Sequence, residues 1–500
     1  GYEDTDGTVT ISSPEGLAWL AKQVNGGEDY EGKTVTLTAD IDLADHQWVP
    51  IGTQEYPFSG TFDGNNYKIS DMTITVSEDN TEAGLFGRVS NATIQNVILG
   101  DATVEGAVNG EEDPNTNADR YTGIYIGGIV AALQEMGSAY ENTVTIEGCQ
   151  VDMTVDLTTT DGVVANIGGV LGWISGNWSG SEANISETDV SLRVTHVAED
   201  GFYRSFIGGA IGDASVRKKG SVEISECNLE LDVTMEGNGE MSGGDYNKAV
   251  GVGGAVGYMS YSAQKEDFPI ITIEQVSCGT KLDFSETEDM LAGVPFSPLA
   301  EMGGLFGRGV FYKVTDCFVQ TELVGNEAED PAHFGNLAGY TYNDTIECER
   351  VYTYAVRSKG ALTYENEGLS YDSHGGVMPG YPLTDVYFIE PQVLTENIEG
   401  VPFLYKSFDE SHEETEGIND GFQYSDGDLD DQITVTPSDD GKKVRISPSS
   451  EACDVHGSLT LDSGFQVDFT LPVVVESGDA VEKYNIAIEK EGRYSGTVET

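Results

Sequence analysis

The sequence predicts an all-β chain, most of it a right-handed parallel β-helix with an N-terminal capping helix, followed by a small antiparallel β-sandwich. Three observations carry this. A glycine pattern recurs along the first two-thirds of the 500 residues. Runs with period-two apolar alternation recur between its copies. Helical periodicity is nearly absent after residue 25.

The glycine pattern reads AGLFG at Ala83–Gly87, GGIVA at Gly127–Ala131, GGVLG at Gly168–Gly172 and GGAIG at Gly208–Gly212. GGAVG follows at Gly253–Gly257, GGLFG at Gly303–Gly307 and a degenerate GNLAG at Gly335–Gly339, with successive offsets of 44, 41, 40, 45, 50 and 32. Seven copies of one pattern fit a solenoid in which identical positions stack from coil to coil and bury a continuous core. Gly pairs suit coil corners, where the backbone takes positive φ or comes close to another strand. The uneven offsets imply corner loops of different length, at Gly106–Tyr121, Glu236–Lys248 and Glu286–Met302.

Between copies, TIEGCQVDMTVDL (Thr145–Leu157), NISETDVSLRV (Asn184–Val194) and EISECNLELDV (Glu223–Val233) alternate. Val151, Met153, Val155 and Leu157 are expected on a core face, with Asp152, Thr154 and Asp156 on the other. Parallel strands joined by helices are thereby excluded, and a sandwich would not repeat one pattern seven times.

The one convincing helix is SPEGLAWLAKQVNGG at Ser13–Gly27, expected over 13–26. Ser13 is a natural N-cap, Pro14 suits the first helical position, and Leu17, Leu20, Ala21 and Val24 make one apolar stripe. A solenoid exposes its first coil unless something covers it, so this helix is expected to cap it. Glycine and proline accumulate at Tyr371–Pro382, where the repeat is lost. A boundary near residue 385 therefore separates a β-helix over 1–385 from an immunoglobulin-like sandwich over 386–500, whose short strands are broken by Asp, Gly, Ser and Pro turns.

The chain has 86 Asp+Glu against 25 Lys+Arg, a net charge of −61, of which −43 falls before residue 386 and −18 after it. Polyanions are poor partners for such a surface, which excludes nucleic acid and anionic membrane. No run approaches the roughly 18 apolar residues of a membrane span. The opening Gly1-Tyr2-Glu3 reads as a trimmed start, so any secretion signal is expected to have been removed.

Six cysteines invite a disulfide framework, but Cys149, Cys227 and Cys317 each stand three residues after Ile146, Ile224 and Val314. They share one slot of successive repeats, filled by Thr188 in a further coil. Stacked slots place Cβ atoms about 4.8 Å apart or more, beyond a disulfide's reach, so buried free thiols are expected. The histidines at 46, 196, 333, 374, 412 and 456 form no motif.

Two acidic loops offer oxygen ligands at every second residue: Asp113, Asn115, Asn117 and Asp119, and Asp426, Asp428 and Asp430. That spacing suits calcium, and equally a polar loop or a turn between strands. Calcium is the one candidate cofactor. Trp173 and Trp178 could offer stacking faces to sugars or pack at a corner.

WVPIGTQEYPFSGTFDGNNYKISDMTI (Trp48–Ile74), GLFG (Gly84–Gly87) and NATIQNV (Asn91–Val97) resemble the GLUG-motif β-helix proteins of bacterial cell surfaces. The resemblance is close over Thr34–Val104 and weaker to about residue 350. It implies a pectin-lyase-like fold and a secreted or wall-anchored protein, often adhesive, and supplies no catalytic residues. The expected function is a non-enzymatic secreted or cell-surface adhesin, monomeric, binding a host protein or neutral glycan through corner loops. The alternative is a polysaccharide-active enzyme, a glycoside hydrolase or lyase on the same scaffold, since 86 acids could always supply two catalytic carboxylates.

Overall fold

A computed structural model describes residues 1–357 apart from 6, 45, 111–121, 134–141, 161, 175–180, 200–203, 216–219, 239–248, 260–269, 284–286, 289–299, 310–311, 325–332, 336 and 342–345. Beyond these it describes strand backbone at 386–389, 404–406, 422–423, 433–437, 443–448, 452–460, 466–474 and 486–489.

The described chain is predominantly β and built from parallel strands. One coil shows the plan. Asn142–Glu147 and Gln150–Thr159 are two legs of a long sheet, Val163–Gly168 enters a second, seven-stranded sheet, and Leu171–Trp173 enters a third, also seven-stranded. The next coil repeats this in register: Ile146 pairs with Ile185, Val151 with Val190, Gly168 with Gly208 and Leu171 with Ile211. The result is a β-helix-like solenoid.

Each leg buries alternate residues. Gln150–Thr159 has Val151, Met153, Val155 and Leu157 inward, and these join one core cluster running from Val9 to Val351. The two long-sheet legs meet at a residue in the left-handed region: Asn96 (φ 53°), Gly148 (63°), Glu187 (48°), Glu226 (54°), Gln275 (57°) and Asp316 (54°). The preceding residues, Gln95, Glu147, Ser186, Ser225, Glu274 and Thr315, pair in sequence, so these corners form one column.

The glycine signature is the corner between the second and third sheets. Gly127, Gly168, Gly208, Gly253, Gly303 and Gly335 pair successively. No side chain fits: a Cβ on Gly172 would lie 2.6 Å from the Ile126 carbonyl oxygen and 2.8 Å from its nitrogen. The first copy departs from the sequence alignment. Ala83 pairs with Ile126 rather than occupying the Gly127 slot, while Phe86 still pairs with Val130, so that corner is one residue shorter.

Helix α1 runs Pro14–Asn25, with the Ser13 hydroxyl accepting from the Gly16 amide and with Leu17, Leu20, Ala21 and Val24 buried in the solenoid's core cluster. The parallel stack continues to Val386–Ile389, which pairs with Val351–Tyr354 and so crosses position 385; Leu404–Lys406 then pairs antiparallel with it. Farther on, the strands form two three-stranded antiparallel sheets.

Candidate functional site

Groove on the first coils

The N-terminal coils carry an open groove of about 660 Å³. Its floor comes from strand starts of the long sheet. Thr34 pairs with Thr61, and Thr61 with Thr93. The column extends to Thr8 on one side and Thr145 on the other. These side chains face outward because Val35, Phe62 and Ile94 beside them point into the core. Parallel strands lie about 4.8 Å apart, so the floor is a ladder of hydroxyls at that interval. Those of Thr34, Thr61 and Thr93 take no hydrogen bond from or to other described residues.

One wall is the segment at 53–57. The Thr53 amide donates to the Tyr56 carbonyl (2.9 Å) and the Tyr56 amide to the Thr53 hydroxyl (3.1 Å), closing a tight turn that holds the Tyr56 ring out, 39% exposed. The Tyr56 hydroxyl donates to Glu55 (2.8 Å), a bond that raises the phenol's pKa. The ring lies beside Gly27, whose φ of +108° favours glycine. The other groove charges are Asp29, Glu31 and Lys33, and the Lys33 ammonium sits over the Tyr30 ring at 4.9 Å. Three carboxylates against one ammonium make the groove acidic.

Seam between the second and third sheets

The outward residues of the second sheet form the column Glu82, Tyr125, Asn166, Phe206, Gly251, Glu301; those of the third form Arg88, Ala132, Trp173, Asp213, Tyr258, Arg308. The columns interlock across the glycine corner. Arg88 donates to Glu82 (2.8 Å) and to the Leu133 carbonyl (3.1 Å), and lies over the rings of Tyr125 and Trp173. Tyr125 stacks on Trp173 at 4.7 Å, and one coil pair farther on Phe206 stacks on Tyr258 at 4.0 Å. Arg308 sits over Tyr258 and 3.6 Å from Glu301. Trp173 therefore packs against protein, its face engaged by Tyr125.

Two acids are caught in this seam. Burial pushes the Asp213 carboxyl up to about 7, against hydrogen bonds from the Ser215 hydroxyl and amide and the charge of Arg204. Burial pushes Glu301 up to about 8, with Arg308 opposing.

Placement of the sequence candidates

Asp113, Asn115, Asn117 and Asp119, like Asp426, Asp428 and Asp430, lie outside the described residues, as do Trp178 and His374. Among the described residues no group of three or more His, Cys, Asp or Glu is placed to hold a metal ion. Cys149, Cys227, Cys278 and Cys317 are free and buried, and Cys348 is half-buried. The thiols of Cys149, Cys227 and Cys317 donate to the carbonyls of Glu147, Ser225 and Thr315 (3.4, 3.1 and 3.2 Å), as the Thr188 hydroxyl does to Ser186 in the same slot (2.8 Å). Burial pushes these three thiols up to about 12, so they are poor nucleophiles. His196 is buried with its Nε2 2.9 Å from the Thr159 hydroxyl, and burial lowers its pKa to about 3.

Sequence reasoning missed the groove. Its signal was faint: a threonine at each strand start, in coils whose Gly-x-x-Gly spacing did not announce which strand starts align.

Comparison with known proteins

No family model matches the chain, and no curated protein matches it. Among solved structures, a candidate immunoglobulin A1 protease from Bacteroides ovatus is similar over 68% of this chain and 84% of its own, at 18% identity and a TM-score of 0.42. The tailspike protein of E. coli bacteriophage HK620, solved in complex with a pentasaccharide, is similar over 97% of this chain and 90% of its own, at 11% identity and a TM-score of 0.20. At these scores the architecture rests on the strand register of this chain itself. Among the described residues no helix is long and apolar enough to cross a membrane.

Proposed function

We propose that the chain is a non-enzymatic extracellular binding protein, an adhesin of the GLUG-motif kind. In this reading a right-handed β-helix is closed at its first coil by α1 and followed by an immunoglobulin-like module, which the C-terminal antiparallel strands would form. The observation that carries it is the open groove of about 660 Å³, with a regular hydroxyl floor, an exposed tyrosine and an acidic rim. Hydroxyls and an aromatic face recognise neutral polar ligands, and the acidic rim repels polyanions.

The enzymatic reading is less well supported. Glycoside hydrolysis needs one carboxylic acid protonated beside another ionised. Asp213 and Glu301 are both shifted toward the protonated form, and both are covered by the seam. Calcium at Asp113, Asn115, Asn117 and Asp119 or at Asp426, Asp428 and Asp430 is proposed as a bound ion. The test is a glycan and host-protein array probed with the intact chain, with and without EDTA, alongside an assay for released reducing ends. Binding without product release is expected. Release of reducing ends would replace the binding reading with the enzymatic one.

A further inference from the structure

Resting on that reading, we infer that the groove is a lengthwise track for an extended, uncharged polysaccharide, lying parallel to the solenoid axis with one sugar ring over each coil.

The argument starts from the period of the floor. Thr34, Thr61 and Thr93 are not merely near one another; they are the same strand position on three consecutive coils. Their hydroxyls are therefore collinear and repeat at about 4.8 Å. Outside the described protein contacts, each has both a donor and an acceptor to offer. A ligand that satisfies all three must itself carry hydroxyls at nearly that interval along a line. An extended linear polysaccharide does so, since each ring advances the chain by a length close to one strand spacing. A compact branched epitope does not.

The backbone beside the middle rung is closely packed. A Cβ on Gly60 would lie 2.7 Å from the Tyr30 carbonyl oxygen and 3.0 Å from that of Lys33, so the middle coil keeps a glycine beside Thr61. The ligand meets the three hydroxyls beside the side chains of Lys33, Ser59 and Asn91, which share the groove lining. Tyr56, fixed by its turn with Thr53 and exposed on the wall, offers one ring face to one sugar. Asp29, Glu31 and Glu55 against Lys33 select for a neutral chain and against uronate, sialylated or sulfated ones.

The experiment is a length series. Neutral linear β-1,4-glucan, β-1,4-mannan and β-1,3-glucan oligosaccharides of one to six rings, with oligogalacturonates as charged comparison, are titrated calorimetrically into the intact chain. For at least one neutral series, affinity should rise with each ring up to about three or four and then level, because the floor spans three coils. Tyr56→Ala should weaken binding about tenfold. Thr61→Val, which keeps the shape and removes one hydroxyl, should weaken it about three- to tenfold. Thr272→Val, in the same column but remote from the groove, should leave it unchanged, and circular dichroism of all three variants should match the parent.

Flat length dependence with binding still sensitive to Tyr56 overturns the lengthwise track and leaves groove binding standing. Preference for oligogalacturonates, or binding indifferent to both Tyr56→Ala and Thr61→Val, overturns the assignment of this ligand to this groove. Failure of every neutral series overturns the inference, and only silence across the whole array overturns the binding reading as well.

Discussion

Glu301 should make the solenoid less stable as pH rises, and Glu301→Gln should remove that dependence. The side chain is 1% exposed, neither carboxyl oxygen has a hydrogen-bond partner, and the nearest cation among the described residues is Arg308 at 3.6 Å. Burial raises the carboxyl from 4.5 to about 8. For an acid whose folded pKa lies above its unfolded one, the folded state holds the proton longer. Stability is therefore intact below pH 4.5 and is lost progressively between pH 4.5 and 8. One pH unit of differential titration is worth about 1.4 kcal/mol, so the loss is about 3 kcal/mol by pH 7 and about 5 above pH 8.

Asp213, raised from 3.8 to about 7, adds a loss of the same sign between pH 3.8 and 7. In Glu301→Gln only the Asp213 part should remain. The amide leaves its own donors to be satisfied, at about 1–3 kcal/mol, so the variant should be no more stable than the parent at pH 5 and more stable at pH 8. Because a solenoid opens coil by coil, the assay is native-state hydrogen exchange at the Met302 and Phe306 amides, corrected for intrinsic rate, across pH 5–9. Equal pH slopes for parent and variant would refute the reasoning.

Three further outcomes follow from the packing. Glu226→Asn, at a left-handed corner where Asn96 and Gly148 already serve other coils, should stabilise by about 1 kcal/mol in urea unfolding. Gly172→Ala, whose Cβ would meet the Ile126 backbone, should cost about 3 kcal/mol or prevent folding, read from soluble yield and melting temperature. Cys149, Cys227 and Cys317 should resist iodoacetamide in buffer at pH 8 and react without reductant in denaturant, read by mass spectrometry; an unlabelled denatured chain would mean they are bridged.

Much of the architecture was legible because it rests on local sterics repeated many times. A glycine where Ile126 presses on Gly172, and alternation at Val151, Met153 and Val155, report backbone crowding and burial directly, without knowledge of partners. The helix start at Ser13 and Pro14 is legible for the same reason. The seam was not. Tyr125, Asn166, Phe206 and Glu301 share one column, but their identities change from coil to coil, and their partners Trp173, Asp213, Tyr258 and Arg308 come from another sheet. The groove was hidden likewise, since Thr34, Thr61 and Thr93 are separated by 27 and 32 residues and unite only once loop lengths are known. The shortened corner at Ala83 misled the alignment because the sequence cannot distinguish Ala83–Gly84 from a Gly–Gly corner with one substitution.

The stacking of like over like is tested most directly by distance. Spin labels carried on a bioorthogonal residue, leaving the native cysteines untouched, are placed at Thr34 with Asn184 and at Thr34 with Thr272, positions four and six rungs apart in one column. At about 4.8 Å per rung, pulsed electron resonance should give backbone separations near ~19 and ~29 Å, in the ratio of the rung counts. Separations that do not grow with rung number would contradict the solenoid and, with it, the hydroxyl ladder.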